Sequence, residues 1–264
     1  MEEIRVESWN ELHERLWEES WQAPLGRFRS NFAFRGVPER AHELESGLAR
    51  SDGAFVEHEG HLLRNFRKYA RNDAVPGDSI WNWLALAQHH GMPTRLLDWT
   101  YSPYVALHFA TEDVARFGED AVIWCVDYVE TNKALPDRLQ AILREEGSNV
   151  FTAEMLGRVA SSLREFDGLS SDPFVVFFEP PSFDDRLVNQ FALFSLMSSP
   201  RAALRPWLER RPHLGRRIVI PHSLKWEVRD KLDQANITER VLYPGLDGLS
   251  RWLKRYYGPR VRPA

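Results

Sequence analysis

The sequence predicts an α+β fold built on one mixed β-sheet, and two observations lead to this prediction. Apolar residues recur at helical spacing along much of the first third of the chain, whereas short apolar segments typical of strands become more frequent from Ala121 onwards. Neither an internal repeat nor a low-complexity linker divides the 264 residues, a length that suits one sizeable core. This mixture of elements favours helices packed on a single sheet.

The helices are predicted from apolar periodicity together with start signals. Ser8 and Glu11 form a capping-box pattern at the start of the first helix. Ser102 followed by Pro103 marks a later start, because a hydroxyl caps the first turn and proline fits the first helical position. The other predicted helical segments are Ala54–Tyr69, Ile80–Ala87, Pro136–Glu146, Thr152–Phe166, Ser223–Gln234 and Leu246–Tyr256.

The strands are predicted from alternating or continuously apolar segments. Asn31–Val37 alternates, which places Phe32 and Phe34 on one side and Arg35 on the other. Ala121–Asp127 is apolar throughout most of its length and fits a buried strand. The other predicted strands are Phe174–Phe178, Gln190–Leu196 and Arg217–Ile220.

The composition is that of an ordinary globular protein, with 43% hydrophobic and 27% charged residues. No apolar segment approaches the roughly 20 residues that span a bilayer, and the acidic start Met1-Glu2-Glu3 lacks a signal-peptide core. We therefore expect a cytoplasmic protein with no membrane association. The single cysteine, Cys125, excludes an internal disulfide, and its apolar neighbours predict a buried thiol.

The formal net charge of −4 gives no overall attraction for nucleic acid. Basic residues are nevertheless concentrated in two segments, a pattern that is usually a solvated surface but also suits a nucleic-acid interface. The residues are Arg201, Arg205, Arg210, Arg211, Arg216 and Arg217 in the first segment, and Arg251, Lys254, Arg255, Arg260 and Arg262 in the second.

The segment from Gln88 to Ala110 carries more hydrogen-bonding side chains than a connection between two helices requires. These side chains belong to Gln88, His89, His90, Thr94, Arg95, Asp98 and Thr100. Because sites are often built on loops held by a rigid scaffold, we interpret this segment as part of a ligand site. Trp99 has polar neighbours on both sides, which fits either a ring that stacks on a base or nicotinamide, or a core residue.

Arg35 is the first candidate outside this segment, because an arginine on an aromatic strand must pair or meet a ligand. A phosphate or pyrophosphate would suit its planar guanidinium group. The alternatives are an ion pair with Asp98 or stacking on a tryptophan. Gly36 follows directly and permits close approach to the backbone.

The histidines predict no metal site. His58 and His61 are three residues apart and lack the metalloprotease spacing, and chance pairs are expected among nine histidines. A general acid or base at His89 or His90, working with Asp98 in a hydrolase, is one further hypothesis.

These motifs resemble those of the FRG domain, a bacterial and phage family named after its Phe-Arg-Gly motif. The residues that carry the resemblance are Phe34-Arg35-Gly36, Gln88-His89-His90-Gly91, Pro93-Thr94-Arg95, Leu97-Asp98-Trp99-Thr100, Ala106–Ala110, Asn189–Phe194 and Tyr243–Gly248. The resemblance extends from about Arg27 to Tyr257. It implies a single FRG-like domain over residues 1–264, in which residues 1–26 are an N-terminal helical extension.

A remote second resemblance is to ADP-ribosyltransferases of the arginine–serine–glutamate type, and it implies a sheet of that kind. Arg35 would correspond to their first motif, and Asp98-Trp99-Thr100 to their second. The resemblance implies that Arg35 holds the pyrophosphate of NAD and that the Thr100 hydroxyl binds the nicotinamide ribose. Gln190 stands where a catalytic glutamate, which would stabilise the sugar cation, is expected. Glu179 is a substitute carboxylate.

We therefore predict a nucleotide pocket, with NAD as the substrate and no metal. The pocket is expected to bring Arg35, Arg95, Asp98 and Gln190 together, with Phe34 and Gly36 beside them. The resemblances imply an ADP-ribosyltransferase or NAD-cleaving effector, in a toxin or phage-defence setting, with a protein or nucleic acid as its target. The alternative is a non-catalytic module that binds nucleic acid or protein through the arginine clusters.

Overall fold

The structure, a computed structural model, describes residues 1–39, 44–50, 55–70 and 77–259. Ten strands are present in this part of the chain: β1 Glu2–Arg5, β2 Trp21–Gln22, β3 Arg27–Phe28, β4 Phe32–Val37, β5 Leu96–Thr100, β6 Ala121–Asp127, β7 Phe151–Thr152, β8 Val175–Glu179, β9 Ala192–Met197 and β10 Gly215–Ile220. The start of the predicted Ala54–Tyr69 helix, and Arg260 and Arg262 of the basic tail, lie outside the described residues.

The same part of the chain forms thirteen α-helices: α1 Trp9–Trp17, α2 Glu59–Ala70, α3 Ile80–His89, α4 Pro103–Ala110, α5 Tyr128–Thr131, α6 Asp137–Glu146, α7 Ala153–Val159, α8 Leu163–Asp167, α9 Asp185–Asn189, α10 Leu204–Glu209, α11 Lys225–Gln234, α12 Glu239–Leu242 and α13 Leu246–Tyr256. The predicted caps are confirmed: the Ser8 hydroxyl accepts from Glu11 N at 3.2 Å, and the Ser102 hydroxyl from Val105 N at 3.3 Å. Within the described residues, no helix is long and apolar enough to cross a membrane.

Eight strands form one sheet in the order β1-β10-β6-β4-β5-β9-β8-β7, while β2 and β3 form a small hairpin. The β1–β10 and β7–β8 pairs are parallel and the other pairs are antiparallel, so the predicted α+β fold with a mixed sheet is confirmed. The pairing between β4 and β5, in the middle of the sheet, is the shortest. β4 pairs with β6 at six positions, yet it pairs with β5 at one, Phe34 opposite Thr100. The sheet therefore consists of two halves that diverge on either side of this pair.

Apolar side chains cover both faces of the sheet. On one face, Leu107 of α4 packs with Phe34 and Ile123. On the other face, Trp207 of α10 packs with Trp124. The predicted thiol of Cys125 is fully buried in the first of these clusters, and burial raises its pKa to about 12.

Gly36 allows α4 to lie directly on β4. A Cβ atom at this position would be 1.8 Å from the carbonyl oxygen of Ala106. The close approach that Gly36 permits is thus made by the backbone of α4. This contact places the C-terminal end of α4 beside the point where β4 and β5 diverge.

Several elements differ from the sequence predictions. The predicted helix Thr152–Phe166 is two helices, α7 and α8, because Ser162 caps a new start by accepting from Glu165 N at 3.2 Å. The interpretation of residues 1–26 as a helical extension is incomplete, because β1 joins the main sheet beside β10. The polar segment after α3 is not all loop, since Leu96–Thr100 is strand β5.

Candidate functional site

A cavity of about 360 Å³ opens between β4 and β5, where the two halves of the sheet separate. Its walls are the end of β4 with Arg35, the end of β5 with Asp98 and Thr100, the C-terminal ends of α3 and α4, and helix α9. This volume is within the range of small-molecule sites, about 300–1,000 Å³. Of the four residues predicted to converge on one pocket, Arg35, Asp98 and Gln190 line this cavity and Arg95 does not.

Arg35 is a largely buried charge in the cavity wall, with 14% of its side chain exposed. Nη1 donates to the carbonyl oxygen of Asp98 at 2.6 Å, and the same nitrogen lies 4.0 Å from Asp98 Oδ2. Nε is buried without a hydrogen-bond partner among the described residues. Burial lowers the pKa of Arg35, although arginine keeps its charge at neutral pH. The guanidinium group is therefore charged and incompletely hydrogen-bonded.

The Asp98 carboxylate is held by a short chain of hydrogen bonds. Gln88 Nε2 donates to Asp98 Oδ2 at 3.0 Å, and Gln88 Oε1 accepts from Thr94 Oγ1 at 2.6 Å. The Thr94 hydroxyl in turn accepts from Leu96 N at 3.0 Å. Because the chain ends on the backbone of β5, it orients Asp98 next to Arg35.

Thr100 and Gln190 join β5 to α9 at the base of the cavity. The Thr100 hydroxyl donates to the carbonyl oxygen of Gln190 at 2.7 Å and accepts from Ser102 N at 3.0 Å. Gln190 Nε2 donates to the carbonyl oxygen of Leu242 at 3.0 Å. Gln190 follows α9, two residues before β9, and so it does not begin a strand as predicted. The polar atoms of both residues are thus used in hydrogen bonds within the cavity wall. The catalytic roles of Thr100 and Gln190 stay predictions.

Residues 30–119 match the family model of the FRG domain. The chain contains an FRG domain. No curated protein and no solved structure matches the chain. The match is shorter than the resemblance drawn from the sequence, which extended from about Arg27 to Tyr257.

The FRG domain supplies most of the cavity. Strand β4, helix α3, strand β5 and helix α4 all lie within residues 30–119, whereas α9 comes from the region that follows. The Phe-Arg-Gly motif has a distinct use for each residue. Phe34 packs in the core with α4, Arg35 lines the cavity, and Gly36 admits the backbone of α4.

Arg95 does not share the cavity, which corrects one of the predicted positions. It is buried between two carboxylates: its Nε donates to Glu59 Oε1 at 2.7 Å, and its Nη2 to Asp167 Oδ2 at 3.2 Å. These hydrogen bonds and charges raise the pKa of Arg95 despite the opposing effect of its burial. A guanidinium group with two carboxylate partners has little left for a ligand, so Arg95 braces α2 and α8 against the start of β5.

Trp99 takes the second of its two predicted roles, that of a core residue. The indole packs on the opposite face of the sheet from Asp98, with its ring 5.6 Å from that of Phe177. Its Nε1 donates to Ser195 Oγ at 2.8 Å. Alternation along β5 explains this placement, because residues beside Asp98 must point away from it. The ring therefore packs in the core, although Trp99 also borders the cavity.

Of the remaining predicted residues, His89 lines the cavity, whereas His90 and Glu179 lie outside its lining. His89 Nε2 lies 2.6 Å from Asp184 Oδ2, so its partner is not Asp98. His90 is exposed at the end of α3. Glu179 accepts from the Tyr101 hydroxyl at 2.9 Å, away from the cavity lining. No group of His, Cys, Asp and Glu within the described ranges could hold a metal ion.

Several lining residues were missed by the sequence analysis, among them Arg50, Phe109, Glu112 and Arg186. Arg50 and Arg186 stand in no motif, and sheet topology alone brings them to the cavity. Phe109 lies in the matched signature near the end of α4, and Glu112 follows it by three residues, two residues after the helix ends. That spacing was the one available signal.

Several members of the two arginine clusters are paired with carboxylates. In the first cluster, Arg201 contacts Glu57, Arg205 contacts Glu209 at 2.9 Å, and Arg217 contacts Glu3 at 3.2 Å. Arg216 is buried against Glu19 at 2.7 Å. In the second cluster, Arg255 is held by Asp233 and Glu239. Carboxylates thus neutralise much of the charge that a nucleic acid would need.

Proposed function

We propose that the cavity binds a nucleotide through its phosphates and that the nucleotide is NAD. The observation that carries this proposal is Arg35, a buried, charged guanidinium group with an unpartnered Nε in the wall of a cavity. Leaving such a donor unsatisfied costs about 1–3 kcal/mol, so an anionic ligand that accepts from it gains affinity.

Two further arginines favour a phosphate over a single carboxylate. Arg50 and Arg186 line the same cavity as Arg35, and Arg186 Nε is also buried without a hydrogen-bond partner among the described residues. Planar guanidinium groups bind phosphate oxygens in a bidentate manner. Three of them around one cavity suit a diphosphate better than a neutral ligand.

NAD is proposed as the nucleotide because of the remote resemblance to ADP-ribosyltransferases. In that interpretation Arg35 holds the pyrophosphate, and the protein cleaves the bond to nicotinamide or transfers the ADP-ribose to a protein or nucleic-acid target. The FRG family resemblance suggests an effector in toxin action or phage defence. The paired arginine clusters make the non-catalytic alternative less favourable, and the His89–Asp184 contact does the same for the hydrolase hypothesis.

The proposal is tested by thermal unfolding of the full chain with NAD, ADP-ribose or inorganic pyrophosphate. A ligand at 100 times its Kd stabilises the folded state by about 2.7 kcal/mol, and for a domain of this size about 1 kcal/mol raises Tm by roughly 2–4 °C. We expect NAD and ADP-ribose to raise Tm of the wild-type protein. Arg35→Ala should weaken the binding of NAD and of ADP-ribose at least tenfold, since a charged hydrogen bond is worth about 1.5–3 kcal/mol.

Arg144→Ala is the matched control, because Arg144 is exposed on α6 and lies outside the cavity. It should keep the full response to NAD. If NAD and ADP-ribose fail to stabilise the wild-type protein, the nucleotide proposal is overturned. If Arg35→Ala retains the rise of Tm with NAD, the nucleotide binds at a site other than this cavity.

A further inference from the structure

Glu112, two residues after the end of α4, is a carboxylate that lines the cavity. Phe109, three residues earlier in the chain, lines the cavity with it, and 37% of the Glu112 side chain is exposed. The Tyr243 hydroxyl donates to Glu112 Oε2 at 2.9 Å. Burial first, and then the Glu112 charge, raises the pKa of Tyr243, so the phenol stays protonated and continues to donate.

The charge of Glu112 is not cancelled by an ion pair within the part of the chain that the structure describes. His108 Nε2 lies 3.6 Å from Oε2, but burial lowers the pKa of His108 and favours the neutral ring. Arg186 and Arg251 stack on Tyr243, with their guanidinium carbons 5.1 and 5.2 Å from the ring centroid. The Glu112 carboxylate is therefore oriented by a hydrogen bond from an uncharged donor.

The end of α4 adds to this negative potential. Carbonyl groups in the last turn of a helix carry partial negative charge, and α4 ends at Ala110, two residues before Glu112. Phe109 provides an aromatic face beside them. A carboxylate, a helix C-terminus and an aromatic ring together suit a flat ring that carries a positive charge.

The cavity walls thus carry two kinds of charge. The arginines suit phosphates, whereas the Glu112 wall suits a cationic ring. NAD carries a positively charged pyridinium ring on the nucleotide, and in NADH the same ring is neutral while the phosphates are unchanged. We propose that Glu112 makes the cavity selective for oxidised NAD over NADH. This inference rests on the proposed function, since it takes the nucleotide to be bound by the arginines.

The test compares the Kd of NAD, NADH and ADP-ribose for the wild-type protein and for Glu112→Gln, by isothermal titration calorimetry. We expect the wild type to bind NAD roughly tenfold tighter than NADH, which is about what one pair of charges some 10 Å apart supplies at an effective dielectric constant near 20. Glu112→Gln keeps an oxygen that accepts from Tyr243 but loses the charge. It should bring the NAD-to-NADH ratio close to one without weakening ADP-ribose binding.

Asp113→Asn is the matched control, because it removes the same charge from the next residue, which does not line this cavity. It should keep the wild-type ratio. A wild-type protein that binds ADP-ribose but does not prefer NAD overturns the selectivity proposal alone. The same holds if Glu112→Gln leaves the preference intact. If the wild type binds none of the three nucleotides, the proposed function falls, and the selectivity falls with it.

Discussion

Arg95→Ala should lower the free energy of unfolding by about 3–5 kcal/mol, the cost of leaving a buried carboxylate without its partner. Arg95 has 3% of its side chain exposed and Glu59 has 8%, so water cannot replace the lost guanidinium group at Glu59. Asp167 is more exposed, at 31%, and should contribute less. Urea denaturation monitored by circular dichroism measures the change.

Two controls separate the ion pair from a general effect of truncation. Arg144→Ala, at an exposed position, should change the stability by less than about 0.5 kcal/mol. The double variant Arg95→Ala with Glu59→Gln should recover part of the loss, because it no longer buries an unpaired charge. If Arg95→Ala left the stability unchanged but removed the response to NAD, Arg95 would be a ligand residue and its placement outside the site would be wrong.

Gly36→Ala should destabilise the protein by roughly 3 kcal/mol, at the upper end of the usual cost of overpacking. The added Cβ would lie 1.8 Å from the Ala106 carbonyl oxygen and 2.8 Å from Ala110 N. Both are backbone atoms of α4, so the whole helix must move away from β4. Because α4 also carries Phe109 and Glu112 into the cavity, nucleotide binding should weaken as well.

Gly60→Ala is the contrasting control. Gly60 lies in α2, and a Cβ there would meet no atom of the described residues within 4 Å. Alanine is the better helix former, so this variant should be neutral or more stable by up to about 1 kcal/mol. Thermal unfolding of the two variants in parallel provides the comparison. Equal stability of Gly36→Ala and the wild type would mean that α4 does not rest on β4 as closely as the geometry indicates.

The cavity depends on contacts that are local in space but distant in sequence. Phe34 and Thr100 form the one pair that joins the two halves of the sheet, and they are separated by α2 and α3. The sequence indicated that both positions matter, through the motif at Phe34 and the polar segment around Thr100. It could not indicate that the strands diverge beyond this pair, because strand pairing depends on neighbours from the whole chain.

The sequence by itself determined the elements that rest on local physics. The capped helices α1 and α4, the apolar strand β6 and the mixed α+β class all follow from side-chain periodicity and capping hydroxyls, which act within a few residues. It also indicated that Arg35 needs a partner or a ligand, because a buried charge without one is costly.

Only the tertiary structure decided which polar residues share the site. Arg95 and Asp98 are three residues apart in the chain, and both are charged. Arg95 is hydrogen-bonded to Glu59 of α2 and Asp167 of α8, whereas Asp98 lies beside Arg35. Glu112, which follows α4, and Arg186 of α9 reach the cavity without any motif of their own. The reason is physical: the energy of a charge depends on its partners and burial, and the folded chain sets both.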